Sequence, residues 1–380
     1  MQPHAFACDS TRLPDAAADD RFAVHVFPAD HGDCLWIEYG PRGAPRHLLI
    51  DAGTQRTAQR VAEFVRSRHG GACALELLVV THVDADHIGG VLPLLSDPTL
   101  SLSVGDVWFN GYRHLLPADV QSMGPLDGER LTTRLADPQR PLPWNAAFGR
   151  AAVRLDDAGA PPPAVELSGG MRVQVLSADA RQLARMEPVW LDACRDACLD
   201  PQMEVEAPEE LPGFERMGGL DPAEVEAIAA REFREDRAPA NGSSIGLALE
   251  YRGKRALLLA DALPSVVMKG LRAMAPAGAA ERFAFDLVKV SHHGSRNNTS
   301  LPLVRALDCR EWVFSTNGRI FKHPDDEAVA RVVTQARDAR LWFNYRTART
   351  EPWDDDALRA HFGYRTVYGD GTAPLSIELL

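Results

Sequence analysis

The chain has 380 residues, of which 45% are hydrophobic, and its 41 basic and 53 acidic side chains give a formal net charge of -12. Length alone suggests two to three domain-sized units, or a four-layer fold with one large insertion. The acidic balance excludes the electrostatic footprint of a non-specific nucleic-acid-binding protein, although a local basic patch stays compatible with it.

Signals for a membrane or secreted protein are also missing from the sequence. No run of 18 apolar residues exists, and residues 1–20 contain no cationic segment followed by an apolar one. The six cysteines show neither zinc-knuckle spacing nor the density of a disulfide framework. We therefore expect a cytoplasmic protein whose cysteines are reduced and buried: Cys8, Cys34, Cys73, Cys194, Cys198 and Cys309.

The first half of the chain predicts an ordered α/β unit behind a loose leader. Residues 1–20 are small, polar and acidic, with no apolar periodicity. A helix over 57–69 is predicted to end at Gly70, and a glycine-opened helix is predicted within 87–98. Short apolar runs separated by turn residues predict strands at 22–27, 34–39, 47–50 and 75–80.

The composition changes between about 116 and 240, where proline, alanine and acidic clusters indicate an insertion. Residues 164–179 within it predict a hairpin of the main sheet, so the inserted helices are expected after Asp179, near 181–199 and 221–236. Later apolar runs predict strands at 244–251, 256–262, 283–290, 311–318, 339–347 and 373–379, and a helix at 325–337. Four segments follow from this pattern: a leader (1–20), the first half of the main domain (21–178), a helical insertion (179–240) and the second half (241–380).

The strongest chemical signal is a cluster of four potential metal ligands, His82, Asp84, Asp86 and His87, at the end of a buried strand. These side chains cannot all be core residues, because burying several charges without a counter-ion is costly. Imidazole and carboxylate groups together suit Zn²⁺, Mn²⁺ or Fe²⁺, and their density favours two ions over one. The alternative is a solvated acidic loop.

Three further polar elements follow apolar strands in the same way. Asp51 follows the strand at 47–50, Asp261 follows the apolar run at 256–260, and the His292–His293 pair follows the strand that ends at Val290. An aspartate after a strand is commonly a turn former. The repeated placement at strand ends instead favours a shared site.

With these elements, the sequence resembles the metallo-β-lactamase superfamily, whose hydrolases carry the motif T-H-x-H-x-D-H after a strand, a later aspartate and a final histidine. Residues 81–87 match this motif, with Asp84 in place of the usual histidine. The resemblance extends to the hydrolase domain of competence-type DNA-uptake channel proteins and covers most of 22–178 and 241–380. The residues that carry this second resemblance are Gly32–Asp33, Asp51–Gly53, Ala260–Ala262, His292–Ser295, Asn317–Arg319 and His323–Pro324.

The resemblance implies an α/β fold, an αββα sandwich with a mainly helical insertion and two divalent ions at one edge of the packed sheets. His82 and Asp84 would hold the first ion, Asp86 and His87 the second, and Asp261 would bridge them. His293 is expected to complete the second site and His292 to contact the substrate, although the opposite order stays open. Asp51 is expected to orient a ligand histidine rather than to bind metal.

The resemblance implies a further histidine ligand for the first ion from the middle of the chain. His114 is the sole histidine between His87 and His292, which makes it the imidazole candidate. The alternative is a surface histidine in a loop, in which case the first site holds only His82, Asp84 and Asp261. Asp84 adds a hard oxygen ligand, which shifts the expected preference from Zn²⁺ toward Mn²⁺.

The expected activity is hydrolysis by a hydroxide between two ions, with Asp86 orienting it and His292, Asn317 or His323 donating to the reacting oxygen. His323 has a structural alternative, packing at the start of the helix at 325–337. The resemblance to the uptake-channel hydrolases favours a phosphoester or phosphodiester substrate, as in a phosphodiesterase or nuclease-like enzyme. The net charge favours small or single-stranded substrates over long duplex. Two other hypotheses stay open: a lactone, thioester or amide hydrolase with the same centre, and a degenerate metal-binding module whose insertion docks a partner. The oligomeric state is not predicted.

Overall fold

The computed structural model describes residues 19–115, 130–156, 160–190, 192, 220–275 and 282–380. The predicted leader lies outside the described residues except at its last two positions. Cys8, Cys194 and Cys198 lie outside the described residues too. The predicted helix near 181–199 is described up to residue 190 and at residue 192.

Most of the described β-structure belongs to two sheets. The strands are β1 (Asp20–Val26), β2 (Leu35–Pro41), β3 (Arg46–Ile50), β4 (Ala72–Val79), β5 (Ser101–Val104), β6 (Val107–Trp108), β7 (Ala164–Glu166), β8 (Arg172–Val175), β9 (Leu247–Tyr251), β10 (Lys254–Leu258), β11 (Phe283–Ala284), β12 (Leu287–Lys289), β13 (Leu307–Asp308), β14 (Glu311–Phe314), β15 (Arg340–Phe343), β16 (Arg365–Tyr368) and β17 (Leu375–Glu378). The described part of the first sheet has the order β17-β1-β2-β3-β4-β5, with β6 also on β4, and that of the second has the order β16-β15-β14-β12-β10-β9-β8-β7.

Helices cover the outer faces of both sheets. In the described residues they are α1 (Gln55–His69), α2 (Ala85–Ile88), α3 (Val91–Ser96), α4 (Arg130–Leu135), α5 (Ala180–Met186), α6 (Pro222–Ala229), α7 (Pro239–Gly242), α8 (Pro264–Met274), α9 (Leu301–Ala306), α10 (Asp326–Gln335) and α11 (Asp356–Phe362). None of these helices combines the length and the apolar composition needed to cross a bilayer.

The two sheets pack face to face around a shared apolar core. Val24, Ile37 and Leu77 from the first sheet are buried in the same cluster as Leu249 and Val313 from the second. A separate cluster lies between the first sheet and α1, and a third lies between the second sheet and helices α8 to α10. The predicted αββα sandwich is therefore confirmed.

Alternation along the strands explains how each sheet fills two cores. In β2, Leu35, Ile37 and Tyr39 contribute to the core between the sheets, whereas Trp36 contributes to the cluster under α1. Successive side chains of a strand point to opposite faces, so Glu38 lies on the same face as Trp36. Helix α1 ends at Gly70, which caps it in the left-handed conformation with φ 63°. The predicted end of this helix at Gly70 is therefore confirmed.

The structure differs from the predicted strand at 283–290. The stretch is divided into β11 and β12, and β11 pairs with β13 outside both large sheets. The break falls at Asp286, whose carboxylate accepts hydrogen bonds from the Arg255 backbone N–H (2.8 Å) and the Lys254 ammonium (3.0 Å). A side chain that bonds to the neighbouring strand in this way interrupts the regular ladder.

Candidate metal centre

The polar side chains that follow four strands meet at one edge of the sandwich. β3 and β4 are parallel neighbours in the first sheet, and β10 and β12 are parallel neighbours in the second, so their carboxyl ends lie together in pairs. The two sheets are joined at this edge, where the Ile245 backbone N–H donates to the Thr81 carbonyl oxygen at 3.0 Å. Residues that follow different strands therefore converge in space.

Asp261 lies at the middle of the converging groups. Its Oδ1 atom is 3.3 Å from His87 Nε2 and 3.7 Å from His293 Nε2. Its Oδ2 atom is 3.8 Å from His82 Nε2 and 3.7 Å from His292 Nε2. Each carboxylate oxygen thus faces a different pair of imidazoles, and Asp261 lies between two groups of donors.

The group around Oδ1 of Asp261 also contains Asp86. The Oδ2 atom of Asp86 is 3.3 Å from His293 Nε2 and 3.9 Å from His87 Nε2, and these two Nε2 atoms are 3.3 Å apart. All four side chains are buried. Two imidazoles and two carboxylates at this spacing form a donor set suited to a borderline divalent ion such as Zn²⁺.

The group around Oδ2 of Asp261 is more open to solvent. His82 Nε2 is 3.5 Å from Asp84 Oδ2, and the Asp84 side chain, at the residue before α2, is 38% exposed. His292 is partly exposed as well. A substrate that enters from solvent would therefore meet the donors on this side of the centre first.

His87 is fixed by the carboxylate of Asp51. Asp51 accepts hydrogen bonds from the Thr81 backbone N–H (2.8 Å), the Thr81 hydroxyl (2.7 Å) and His87 Nδ1 (2.8 Å). A carboxylate on Nδ1 fixes the tautomer of an imidazole and leaves its Nε2 lone pair for a metal. Asp51 therefore orients His87 toward Asp261.

His293 is held by a buried ion pair that the sequence analysis did not identify. Its Nδ1 atom is 2.9 Å from the Ser315 carbonyl oxygen and 3.3 Å from Asp33 Oδ1. Asp33 also pairs with the ammonium group of Lys289, and both side chains are almost completely buried. The available signal was a lysine within the apolar strand at 287–290, because a buried ammonium requires a buried counter-ion.

His292 is oriented by one residue near the end of the predicted insertion, by one directly after the insertion and by one from the loop after the histidine pair. Its Nδ1 atom is 3.0 Å from Asn298 Oδ1, 3.4 Å from Asp236 Oδ2 and 3.3 Å from Asn241 Nδ2. These contacts turn its Nε2 atom toward Asp261. Sequence analysis missed all three partners, since nothing local distinguishes them from ordinary loop residues.

Backbone conformation explains how adjacent histidines reach the two oxygens of one carboxylate. His292 and His293 have φ values of 48° and 54°, in the left-handed region that non-glycine residues seldom occupy. Such conformations persist when the surroundings over-determine them, and they concentrate at functional sites. Which of the two histidines binds metal stays a prediction.

The buried carboxylates and imidazoles of this centre shift one another's pKa values. Burial by itself would lower the pKa of His293, but the carboxylates of Asp261 and Asp33 raise it to about 9. Burial would raise the pKa of Asp261, yet His87, His292 and His293 hold it well below its usual range. Without an ion, protons on His87, His292 and His293, whose pKa values are all raised, therefore balance the carboxylates.

The residues fit a pair of divalent ions. His82 Nε2 and Asp261 Oδ1 are buried and have no hydrogen-bond partner among the described residues. Buried polar atoms without a partner are rare in folded proteins and call for an explanation such as an ion. Cations between these groups would satisfy both atoms and replace the protons on the imidazoles.

His114 is not brought to this centre. It belongs to the short 3₁₀ segment Tyr112–His114, packs edge-on against the Trp144 ring at 5.0 Å and places Nε2 3.2 Å from the Arg150 carbonyl oxygen. Within the described residues, none of its contacts reaches a candidate ligand. It is only 7% exposed, so the alternative of a surface histidine is wrong too: the chain after β6 turns inward and buries it against Trp144.

The loop at 317–323 forms a rim beside the centre. The His323 ring lies 5.1 Å from that of His292, and its Nδ1 atom is 3.5 Å from Asp325 Oδ2. Phe321, which is 51% exposed, packs edge-on against His31 at 5.4 Å. The Asn317 backbone N–H donates to the Asp30 carbonyl oxygen at 2.6 Å and ties the rim to the first sheet.

Comparisons with known proteins agree with the superfamily expected from the motifs. The family model described as "Metallo-beta-lactamase superfamily" matches residues 28–181, which include Asp51 and the cluster at 82–87. No curated protein matches the chain significantly. The particular resemblance to competence-type hydrolases stays a prediction.

Three solved structures illustrate how distant the structural neighbours are. A mutant of the β-hydroxylase CmlA has 12% identity and a TM-score of 0.38, with 96% of this chain and 55% of that chain covered, so this chain spans about half the length of CmlA. Zn²⁺-bound PqqB from Methylobacterium extorquens has 15% identity and a TM-score of 0.37, with 90% and 86% covered. The subclass B3 metallo-β-lactamase MEM-A1 from a soil metagenome library has 16% identity and a TM-score of 0.29, with 82% and 88% covered.

Proposed function

We propose that this chain is a metal-dependent hydrolase that cleaves phosphoesters, with small or single-stranded phosphodiesters as favoured substrates. The match of residues 28–181 to the family model of the metallo-β-lactamase superfamily supports the hydrolase. One observation carries the proposal: the two oxygens of Asp261 face two different pairs of imidazole Nε2 atoms. A carboxylate in this position suits a bridge between two ions. Zn²⁺ is the favoured ion, and Mn²⁺ is the alternative because Asp84 adds an oxygen donor.

The donors form two groups according to the oxygen of Asp261 that they face. Asp86, His87 and His293 would hold one ion with Oδ1, and His82 and Asp84 would hold the other with Oδ2. When bound, a pair of divalent ions supplies a water of lowered pKa as nucleophile and neutralises charge on the attacked group.

The protein groups around the ions position and exchange protons. Asp51 and Asp33 hold His87 and His293 through their Nδ1 atoms, which keeps both Nε2 atoms aimed at Asp261. Asp86 would accept a hydrogen bond from the attacking water and orient it. His292, partly exposed and anchored by Asn298, is placed to donate to the leaving oxygen, with His323 beside it.

The rim supports a nucleotide-like phosphodiester over other phosphoesters. Phe321 offers an exposed aromatic face within 6.4 Å of the His323 ring, measured between ring centroids. Arg319 and Lys322 flank it on the same loop. An aromatic face beside basic side chains suits a base that stacks while its phosphate lies nearby. The net charge of -12 disfavours long duplex nucleic acid.

The test combines metal content with hydrolysis of bis-p-nitrophenyl phosphate. We expect mass spectrometry to find about two ions per chain bound at this centre, and we expect turnover with added Zn²⁺ or Mn²⁺. Asp86→Ala should lower turnover by at least about a hundredfold, because it removes the group that orients the nucleophile. Asp97→Asn, at a partly exposed carboxylate that caps the end of α3, is the matched control and should keep full activity.

The same assay separates the competing hypotheses. Two bound ions with turnover of a lactone, thioester or amide panel, and none of the phosphodiester, would replace the proposed substrate class. Protein that binds no divalent ion at this centre under any of these conditions would overturn the hydrolase and favour a degenerate module that docks a partner.

The rim is tested with a dinucleotide substrate. Phe321→Ala should raise KM by about tenfold or more, since stacking one base on an aromatic ring contributes about 1–3 kcal/mol, and should leave kcat unchanged. An unchanged KM would remove the support for a nucleotide substrate without affecting the metal centre.

A further inference from the structure

A second group of metal-ligating side chains lies at the opposite end of β3 and β4. His47 is the second residue of β3, Cys73 is the second residue of β4, and His69 is the last residue of α1. One ligand atom from each of these residues lies within 4.8 Å of the other two. Spacing of this order allows a single ion to contact all three.

This group is separate from the candidate metal centre. Asp51 and His82 follow the carboxyl ends of the same strands at whose beginnings His47 and Cys73 lie. A strand rises about 3.3 Å per residue, so the six steps from Cys73 to Val79 span about 20 Å. One ion cannot serve both ends of β4.

The ligand atoms of the second group are buried and lack partners. His47 is 6% exposed and Cys73 is 9% exposed. His47 Nδ1 and His69 Nε2 have no hydrogen-bond partner among the described residues, and the contact of Cys73 Sγ, with the Ala74 carbonyl oxygen, is long at 3.8 Å. Two buried imidazole nitrogens without partners beside a thiol are costly unless something binds them.

The surroundings hold the group together. The rings of His47 and His69 lie 4.7 Å apart, and the Trp36 ring packs against both, at 5.2 and 6.0 Å. Three aromatic rings in mutual contact help to keep the unpartnered nitrogens away from bulk water.

The nearby carboxylate is already engaged and does not complete the group. Glu38 lies opposite His47 in the pairing of β2 with β3. Its carboxylate pairs with Arg21, lies 3.3 Å from the Arg68 guanidinium and lies 3.4 Å from His25 Nε2. Two imidazoles and a thiol are then the donors, a set that favours thiolate-binding ions over Mg²⁺, Ca²⁺ or Mn²⁺.

We propose that His47, His69 and Cys73 form a second metal site that binds Zn²⁺ through three protein ligands, independently of the hydrolytic centre. Cys73 releases its proton when the ion binds, because the thiolate is the ligand. A water molecule on the half-exposed side of His69 completes four-coordination. The ion connects the last residue of α1 to the second residues of β3 and β4.

Cobalt provides a direct test, because thiolate ligation to Co²⁺ gives a sulfur-to-metal charge-transfer band in the near ultraviolet. None of the donors of the candidate metal centre is a cysteine, so the band reports the second site. When Co²⁺ alone is added to the metal-free full chain, the band should grow until one ion per chain is bound there. Cys73→Ser should lose it, and the matched control Cys309→Ser should keep it, since the buried Cys309 thiol donates to the Glu311 carbonyl oxygen instead.

A protein with no such band, or a Cys73→Ser variant that keeps it, would overturn the proposal. His69→Gln provides a second test that does not depend on a core substitution, because His69 is half-buried at the end of α1. It should weaken Co²⁺ binding at this band by at least about tenfold. An unchanged affinity in this variant would overturn the site as well.

The outcome is independent of the proposed hydrolase. The zinc content of Cys73→Ser should be lower by one ion than that of the wild type, with hydrolysis unchanged. An inactive wild-type protein that shows the cobalt–thiolate band would refute the hydrolase and keep the second site.

Discussion

The two ends of the parallel pair β3–β4 bury similar side chains in opposite electrostatic surroundings. At the carboxyl end, carboxylates of Asp261 and Asp33 outweigh burial and raise the pKa of His293 to about 9. At the beginning, burial with the neighbouring His69 lowers the pKa of His47 to about 4, and the partly opposing charge of Glu38 does not reverse this. Burial acts in the same direction at both ends, so the carboxylates decide the protonation state of a buried imidazole.

The difference has a chemical consequence. Imidazoles surrounded by carboxylates, as at Asp261, favour divalent ions that take both nitrogen and oxygen ligands. Imidazoles beside a thiol, with the one nearby carboxylate of Glu38 bound by Arg21 and Arg68, favour an ion that takes sulfur. The same two strands thus present two kinds of donor set.

The largest effect is expected from Asp261→Asn. The substitution keeps the shape of the side chain but removes the charge that faces His82, His87, His292 and His293, so hydrolysis should fall by about a thousandfold or more. Metal content at this centre should fall with it, whereas the cobalt–thiolate band at the other end should be unchanged. Retained hydrolysis would contradict the role of Asp261 in the reaction. Loss of the cobalt–thiolate band would contradict the independence of the two metal sites.

Lys289→Met tests whether the buried charges at the carboxyl end depend on one another. It leaves Asp33 buried without its partner and should lower the free energy of unfolding by about 3–5 kcal/mol, measured by chemical denaturation. The double variant Asp33→Asn with Lys289→Met should recover part of this loss. The partly exposed pair of Lys254 and Asp286 is the control, where Lys254→Met should cost less than about 1 kcal/mol. An equal cost at both lysines would contradict the role of burial.

Asp51→Asn should weaken metal binding at the carboxyl end without abolishing it. The variant replaces the carboxylate that fixes His87 through Nδ1, and such partners typically contribute ten- to a hundredfold in affinity, roughly. Competition with a metal chelator measures the change. Cobalt affinity at Cys73 should be the same as in the wild type, and a parallel loss there would point to a general folding defect.

The smallest effect is expected from His114→Gln. His114 packs on Trp144 and contacts no candidate ligand within the described residues, so metal content and hydrolysis should match the wild type. Stability should fall by about 1 kcal/mol through lost packing. A loss of one ion would instead restore the ligand role that the resemblance suggested.

The sequence by itself determined the elements that depend on local pattern. Apolar runs and turn residues predicted β1 to β4, and the glycine at 70 predicted the end of α1. The four-layer sandwich followed from the resemblance that these elements and the strand-end motifs carried. The cluster at 82–87, Asp51, Asp261 and the His292–His293 pair were recognisable because each follows an apolar strand, and parallel strands bring their carboxyl ends to one edge.

Only the tertiary structure decided which distant residues support and surround these groups. Asp33 with Lys289, Asp236 with His292, and β17 with β1 are pairs separated by dozens to hundreds of residues, and no local periodicity records them. The structure buried His114 away from the centre and assembled His47, His69 and Cys73 from two strands and a helix end. A local pattern shows which face of an element is buried, whereas the identity of the side chain that meets it depends on how the sheets and helices pack.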